Sequence, residues 1–297
     1  MQPTRPIKIR TPAKLNLALH IKDRREDGYH ELESVMQSIT IFDELTLRPR
    51  EEPGITLSSA LPFLPLDRRN LAYRAAALFF EQVGIRRYGV EINIRKRIPV
   101  GAGLGGGSAN AAGTLVALNR MYETDLSEQQ LMELGRRLGS DVPFCIHQGT
   151  CLASGTGDEL ARVTDMPRCT LVVAKPRRSI STAPLYQKYD ELGSSVHPDV
   201  QALIRELDGP LRRIAARCGN SLQEAAVSEV PQIGEMIAYL QQQGALCAVM
   251  TGSGSAVFGI FPNNNAAIRC AAAMRTAYSG CFVSLATPSR PEFFPRH

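Results

Sequence analysis

The chain carries the stretch Pro99-Val100-Gly101-Ala102-Gly103-Leu104-Gly105-Gly106-Gly107-Ser108-Ala109-Asn110-Ala111-Ala112, with five glycines within seven residues. Glycine loses more conformational freedom on folding than any other residue, so such a run indicates a specific need for it. One such need is a backbone that approaches a polyanion closely. Residues 108–118 are rich in alanine and leucine, which favour a helix. The loop is therefore predicted to lead into a helix N-terminus, where free N–H groups and the helix dipole attract phosphate.

Three interpretations of this run compete. A structural tight turn needs one or two glycines rather than five. A dinucleotide-binding G-x-G-x-x-G loop would have Glu123 about 20 residues further on, but the predicted helix cap Ser127 follows, not a second strand. A P-loop does not fit, because no lysine precedes Ser108. A different phosphate loop remains, in which the Ser108 hydroxyl can reach a phosphate or Mg²⁺.

Composition restricts the class of protein. The chain has 297 residues, 44% of them hydrophobic, which is typical of a globular protein with one large or two ordinary domains. The 34 basic and 29 acidic residues leave a net charge of +5, and no basic stripe with interleaved aromatic residues supports nucleic-acid binding. The seven cysteines form no C-x-x-C pair, which argues against a disulfide framework or a zinc site and favours reduced thiols.

Localisation and partners follow from the same survey. The basic N-terminus lacks the apolar core of a signal peptide. No apolar run approaches the roughly 20 residues that span a bilayer. We therefore expect a cytoplasmic protein with small-molecule partners, without nucleic-acid or membrane partners, that is a monomer or a weak homodimer.

The hydrophobic pattern predicts an irregular mixture of strands and helices. Alternating apolar residues over 15–21 predict a strand, and Asn70 and Ser127 each precede a helical pattern as N-caps. Further strands are predicted at 44–48, 55–57, 90–94, 170–174, 246–250, 256–261 and 282–285, and further helices at 183–189, 200–207, 211–218, 232–243 and 266–276. Because the order shows no regular βαβ alternation, we predict an α+β fold with a boundary near residues 160–168.

Three motifs in a fixed order resemble the GHMP kinases. Pro12-Ala13-Lys14-Leu15-Asn16-Leu17 lies near the start, the glycine run follows, and Thr251-Gly252-Ser253-Gly254-Ser255 lies near the end. The resemblance implies an ATP-dependent kinase of a small hydroxylated metabolite. It implies the two-domain fold of that family, with a ribosomal-protein-S5-like domain over 1–163, a ferredoxin-like domain over 164–297 and the active site in the cleft.

The resemblance also implies ATP as co-substrate, with Mg²⁺. The residues implied to bind ATP are Pro99, Val100, Gly101, Ala102, Gly103, Leu104, Gly105, Gly106, Gly107, Ser108, Ala109, Asn70 and Lys96. Ala102 and Ala109 stand where the family often has glycine and serine, but both are small. No acidic residue is clearly placed as a Mg²⁺ ligand, so we expect ATP oxygens, water and Ser108 to hold the metal. A solvated strand end is the alternative for Lys96, and the cap role already accounts for Asn70.

Two further segments narrow the resemblance. Asp27-Gly28-Tyr29-His30 follows the first motif by about ten residues, and Gly139-Ser140-Asp141-Val142-Pro143-Phe144 lies beyond the glycine run. They resemble the branch of the family that phosphorylates the C2 hydroxyl of a CDP-linked methylerythritol in the non-mevalonate isoprenoid pathway. Implied catalytic residues are Asp141, as proton acceptor, and Lys14, as its partner cation. Implied substrate-binding residues are Asn16, Tyr29, His30, Thr182 and Tyr186, with Tyr29 and His30 on the cytosine.

Each of these residues also has a plainer explanation. Asp141 stands two residues before a proline, as at many helix starts. Lys14 could extend its stem along apolar neighbours toward water. A Tyr-His pair in a loop is commonly surface. A homoserine or mevalonate kinase is the alternative within the family, and a catalytically silent nucleotide-binding protein on this fold is the alternative from a different functional class. The cytosine-directed segment argues against the first, and the presence of Lys14, Asp141 and Ser108 argues against the second.

Overall fold

Two β-sheets organise the chain in the computed structural model, which describes residues 5–26, 28 and 30–294. The first sheet consists of β1 (Ile7–Arg24), β2 (His30–Pro49), β3 (Gly54–Ser59), β4 (Gly89–Arg95), β5 (Thr150–Ser154), β6 (Glu159–Arg162) and β8 (Gly219–Asn220). Its order is β3-β4-β2-β1-β8, and β5 pairs with both β2 and β6. One face of the sheet packs against a layer of helices.

The central pair of strands places the first motif. β1 and β2 run antiparallel, with Lys14 opposite Ser38, and the register shifts between Pro12 and Ala13 and again between Asn16 and Ala18. Bulges of this kind bend a strand and re-aim its side chains. The two shifts therefore bracket Lys14 and Asn16, whose side chains emerge on the same side of the strand.

Four helices cover the first sheet: α1 (Leu71–Gln82), α2 (Gly106–Met121), α3 (Glu128–Arg136) and α4 (Asp141–His147). α2 is the central one, and its residues from Ala109 to Leu118 are all buried. The predicted caps are confirmed. The Asn70 side chain accepts a hydrogen bond from the Ala72 N–H, and Ser127 forms a capping box with Gln130.

The second sheet consists of β7 (Thr170–Lys175), β9 (Cys247–Met250), β10 (Val257–Phe261) and β11 (Phe282–Ala286), in the order β11-β7-β10-β9. All its pairings are antiparallel. The helices of this half are α5 (Thr182–Leu192), α6 (Val200–Glu206), α7 (Leu211–Ala215), α8 (Gln223–Glu229), α9 (Gln232–Gln242) and α10 (Asn264–Ala277). When the four strands of this sheet are numbered in chain order, the strand order is 4-1-3-2, the ferredoxin-like arrangement that was predicted.

Contacts cross the predicted boundary at residues 163 and 164. β8 belongs to the C-terminal half of the chain but pairs in parallel with β1. Val200 and Leu203 of α6 pack into the core beneath the first sheet. Two hydrophobic clusters fill the interior, and each contains residues from both halves of the chain. The division at residue 163 remains a prediction.

The predicted elements lie where the sequence pattern put them, several of them extended. The strand predicted over 15–21 is the middle of β1, and that over 44–48 is the end of β2. β5, β6, β8 and α8 had no prediction, because each is short and its residues lack a clear period. For α4 the sequence offered only the helix-start pattern at Asp141. In the described part of the chain, no helix is both long enough and apolar enough to cross a bilayer.

Candidate active site

The glycine run forms a loop that only glycine fits. Gly101, Gly103 and Gly105 have φ values of 62°, 72° and 68°, in the left-handed region that other residues rarely adopt. A Cβ on Gly103 would collide with the carbonyl oxygen of Thr251 and lie 2.9 Å from the Gly254 N. The need for glycine therefore comes partly from backbone conformation and partly from close contact with the turn over 251–255.

The three motifs meet in space. The Lys14 N–H donates to the Leu104 carbonyl at 3.0 Å, and the Ala256 N–H donates to the Ala102 carbonyl at 3.1 Å. The Asn16 N–H donates to the Thr251 hydroxyl at 2.8 Å, across 235 residues of sequence. The first and last motifs thus hold the glycine loop between them.

The loop lines a cavity of about 390 Å³ at the N-terminus of α2. The N-cap of α2 is Gly105, and no side chain caps the first turn, so its N–H groups remain available to a ligand. Of the residues predicted to bind ATP, those that line this cavity are Pro99, Val100, Gly101, Ala102, Gly103, Leu104, Gly105, Gly106, Gly107, Ser108, Asn70 and Lys96. Ala109 is not among them, because its side chain faces the core and is 1% exposed.

Lys96 is anchored beneath the loop. Its ammonium pairs with the carboxylate of Asp43, and the two side chains are 4% and 0% exposed. Asp43 also accepts hydrogen bonds from the Arg97 and Ile98 N–H groups at 2.7 and 2.9 Å, and from the Asn110 side chain at 2.8 Å. The alternative of a solvated strand end is therefore wrong. Lys96 borders the cavity as one half of a buried ion pair.

Asp43 was missed by the sequence analysis, although a signal was present. Ile41, Leu45 and Leu47 occupy alternate positions of β2 and are buried. Asp43 falls on the same alternation, so its carboxylate has to lie on the buried face. A charged residue on the apolar face of a strand needs a partner, which here is Lys96.

A second cavity, of about 220 Å³, adjoins the first. Lys14, Asn16 and Tyr186 line it, and Asp141 and Thr182 line both cavities. Asp141 is the first residue of α4, so the helix-start explanation of this residue also holds. Its carboxylate is 33% exposed and therefore reaches the space between the two cavities.

Lys14 is buried and held in place from several sides. Its Nζ lies 3.4 Å from Asp141 Oδ2 and donates to Asn16 Oδ1 at 2.6 Å. The Asn16 amide in turn donates to the Ser34 hydroxyl at 2.7 Å, which leaves one amide N–H for another partner. Lys14 is only 4% exposed, so the alternative of a lysine extending toward water is wrong.

Burial sets the protonation of two neighbours of this pair. Burial, together with the negative charge of Asp141, raises the pKa of Tyr186 to about 12. Burial likewise raises the pKa of the Cys145 thiol, with Asp141 adding to the effect. Both groups therefore keep their protons at neutral pH. Tyr186 contributes a neutral hydroxyl to the second cavity, and Cys145 is an inert core residue.

The remaining predicted substrate residues lie near the second cavity. Thr182 Oγ1 is 3.0 Å from Ser253 Oγ, which connects α5 with the last motif. The His30 ring is buried against Tyr186, with ring centres 5.1 Å apart, and its Nε2 lies 2.7 Å from Asp190 Oδ1. The sequence analysis did not find Asp190. Tyr29 lies outside the described residues.

Among residues 5–26, 28 and 30–294, no group of three or more His, Cys, Asp or Glu side chains could hold a metal ion. Ser108, in the first turn of α2, lines the larger cavity together with the loop glycines and can offer its hydroxyl oxygen to a cation. This set suits a cation that arrives with phosphate oxygens and water, as Mg²⁺ does.

Comparisons with known proteins agree with this geometry. The family model described as "GHMP kinases N terminal domain" matches residues 70–149, and the model described as "GHMP kinases C terminal" matches residues 200–280. A 4-diphosphocytidyl-2-C-methyl-D-erythritol kinase from Caldicellulosiruptor bescii is 40% identical over 266 residues, which are 89% of this chain and 93% of that one. Another, from Pelotomaculum thermopropionicum, is 45% identical over 264 residues, which are 89% and 92% of the two chains.

A solved structure extends the agreement to the fold. The crystal structure of a 4-(cytidine 5'-diphospho)-2C-methyl-D-erythritol kinase matches with a TM-score of 0.80 and 34% identity, covering 96% of this chain and 100% of that one. The chain therefore belongs to the GHMP kinases, in the family of the 4-diphosphocytidyl-2-C-methyl-D-erythritol kinases.

Proposed function

We propose that this chain is a small-molecule kinase that transfers the γ-phosphoryl group of ATP to the C2 hydroxyl of a CDP-linked methylerythritol. Relatives at 40% and 45% identity carry the name of that kinase, an enzyme of the non-mevalonate route to isoprenoid precursors. One observation supports the chemistry above all others. Asp141 lines both cavities, so a single carboxylate can serve an alcohol bound in one and a phosphate bound in the other.

In this proposal the nucleotide occupies the larger cavity. Its phosphates meet the N–H groups of the glycine loop and of the uncapped first turn of α2, where the helix dipole favours negative charge. The base and ribose extend past Asn70 toward Leu64 and Pro65. Lys96 acts on the nucleotide mainly by supporting the loop, because its ammonium is already paired with Asp43.

The alcohol occupies the smaller cavity. Its hydroxyl oxygen attacks the γ-phosphorus, the bond from phosphorus to the ADP oxygen breaks, and the hydroxyl proton passes to Asp141. The Lys14 ammonium, 3.4 Å from that carboxylate, stabilises the negative charge that develops on the attacking oxygen. Thr182 and the free N–H of Asn16 bind the polyol. The products are ADP and the 2-phosphate.

Mg²⁺ completes the proposed site. When bound, it neutralises charge on the phosphate oxygens during transfer. Ser108 would hold it together with ATP oxygens and water, which fits the absence of an acidic cluster among the described residues.

The cytidine end would bind beside α5. Tyr186 borders the smaller cavity and packs against His30, so an aromatic face and a ring nitrogen stand together. Tyr29, the neighbour of His30 in sequence, is proposed to stack on the base. The seven free cysteines suit a reducing compartment, and we propose that the enzyme works in the cytoplasm, as a monomer or weak homodimer.

The test is an ADP-release assay with the purified chain and Mg-ATP. We expect ADP only when the CDP-linked methylerythritol is added, and a product that carries one new phosphate on C2 by phosphorus and carbon NMR. Homoserine and mevalonate are the control alcohols. ADP release with either of them, and none with the CDP-linked alcohol, would contradict the proposal.

A further inference from the structure

One face of α5 packs against the ring of His30. Tyr186, Tyr189 and Asp190 share that face, because residues three and four apart lie together on a helix. The Tyr186 ring is tilted by 36° against the imidazole, and the Tyr189 ring meets its edge at 6.1 Å and 84°. His30 is the first residue of β2, whereas α5 belongs to the other half of the chain. The contact between His30 and Asp190 therefore joins residues that lie 160 positions apart in sequence.

The contact with Asp190 favours the tautomer of His30 that carries its proton on Nε2. Nε2 of His30 lies 2.7 Å from Asp190 Oδ1, within hydrogen-bonding distance. A carboxylate oxygen accepts hydrogen bonds, so the proton of this contact lies on Nε2. The carboxylate's other oxygen lies 3.7 Å from an Arg24 guanidinium nitrogen, on the exposed side of the contact.

The other ring nitrogen is the polar atom left for a ligand. Nδ1 of His30 has no hydrogen-bond partner within the described ranges, 5–26, 28 and 30–294. In a neutral imidazole with its proton on Nε2, Nδ1 is an acceptor. The side chain is 8% exposed, so a ligand that reaches Nδ1 meets it largely out of water. A ligand group that donates a hydrogen bond to Nδ1 is favoured, whereas a ligand group that can only accept one is rejected.

We propose that Asp190 is a positioning residue that fixes His30 with its proton on Nε2, so that Nδ1 accepts from the 4-amino group of cytosine and excludes uracil. Cytosine presents an amino donor at this position, whereas uracil presents a carbonyl acceptor. The inference rests on the proposed function, since it concerns the pyrimidine of that substrate. It adds a base-selecting role for Asp190, which would act on the substrate through His30.

The experiment compares the CDP-linked methylerythritol with its UDP-linked counterpart, using the full chain and Mg-ATP. For the unsubstituted enzyme we expect a preference for the cytidine substrate of at least about 100-fold in kcat/KM. In Asp190→Ala the KM for the cytidine substrate should rise about tenfold, with kcat and the KM for ATP unchanged. The cytidine-to-uridine preference should fall by a similar factor.

Two more variants separate positioning from general packing. Asp190→Asn keeps the size of the side chain but lets its amide donate to Nε2, which permits the proton to move to Nδ1. The preference for cytidine should then fall further than in Asp190→Ala. Asp190→Glu restores a carboxylate and should recover most of the preference. Glu191→Gln is the control, because it changes a neighbouring carboxylate that is 67% exposed and pairs with Lys188.

The outcomes distinguish the inference from the proposed function. If the unsubstituted enzyme releases ADP with the cytidine substrate but Asp190→Ala and Asp190→Asn keep its selectivity, the inference alone is overturned. If neither pyrimidine substrate releases ADP, the proposed function fails and takes the inference with it. Should a variant not fold by circular dichroism, the binding of CDP against UDP to the remaining folded variants, measured by calorimetry, decides the question.

Discussion

Lys14 and Asp141 meet at the junction of the two cavities, with Nζ 3.4 Å from Oδ2. The lysine comes from a bulged segment of β1 and the aspartate from the first turn of α4. Lys14 is buried and Asp141 is partly open, so the ammonium is fixed while the carboxylate stays accessible to a ligand. This asymmetry is what a proton acceptor needs when its partner cation has to remain in place.

Asp141→Asn should reduce kcat by about 10²–10⁴-fold, because the amide has the same shape but does not take up the proton of the attacking hydroxyl. ATP binding, measured by calorimetry, should remain close to that of the unsubstituted enzyme. Asp208→Asn is the control, since Asp208 is exposed and far from either cavity lining. An unchanged kcat would remove Asp141 from the mechanism.

Lys14→Met should lower kcat by about 10²–10³-fold, because the developing oxyanion loses its nearest cation. Methionine keeps much of the apolar stem, so the fold should survive, which circular dichroism would check. The matched control is Lys22→Met on the same strand, whose side chain is 40% exposed and pairs with Glu33. Equal losses in the two variants would show that the effect comes from β1 packing and not from the site.

Gly103→Ala tests the contact between the glycine loop and the turn over 251–255. The added methyl group would collide with the Thr251 carbonyl, so we expect weaker ATP binding as the loop shifts. Gly84→Ala is the control, because Gly84 has a similar φ of 69° but open space around it. The control should cost only about 1–2 kcal/mol of unfolding free energy, from the left-handed backbone alone. Nucleotide titrations that give equal ATP affinities for both variants would contradict the clash.

Local signals in the sequence were sufficient for much of the fold and for the phosphate loop. The caps at Asn70 and Ser127 depend on residues within three positions, and both were predicted and found. The glycine loop was predictable because five glycines lose much conformational entropy on folding, which indicates that the loop specifically needs them. Its contact with Lys14 was not predicted, because the two segments lie about 90 residues apart and no local pattern relates them.

Long-range contacts account for what sequence reasoning missed. β8 is only two residues long, and its pairing with β1 depends on a chain crossing that no local period reveals. Asp190 lies in an exposed turn of α5 and acquires its partner His30 only when the two halves of the chain pack together. Asp43 carried a detectable signal, the charged position on a buried strand face, but its partner could not be read from the same signal.

The raised pKa of Tyr186 predicts a change in folding stability at alkaline pH. Its pKa is raised to about 12 from the ordinary value near 10, so the folded state holds the phenolic proton more tightly than the unfolded state. This contribution is fully present below about pH 10 and is lost as the pH rises toward about 12. A shift of this size corresponds to about 2–3 kcal/mol at most. The unfolding free energy, measured with urea, should therefore fall less between pH 8 and pH 11 for Tyr186→Phe than for the unsubstituted enzyme. Tyr73→Phe on α1 is the control. If Tyr73→Phe and Tyr186→Phe lose the same unfolding free energy between pH 8 and pH 11, the effect does not come from Tyr186.

Asp43→Asn tests the buried ion pair beneath the glycine loop. It should lower the unfolding free energy by about 3–5 kcal/mol, because the Lys96 ammonium is left buried without a counter-charge. The same change should raise the KM for ATP while leaving the KM for the alcohol unchanged, since Asp43 accepts from the backbone that leads into the loop. Glu44→Gln is the matched control, because this adjacent carboxylate is 37% exposed and pairs with Arg95 and Arg97 at the surface. Chemical denaturation together with initial rates would separate the two effects. If Asp43→Asn and Glu44→Gln unfold at the same denaturant concentration, the pair does not support the loop.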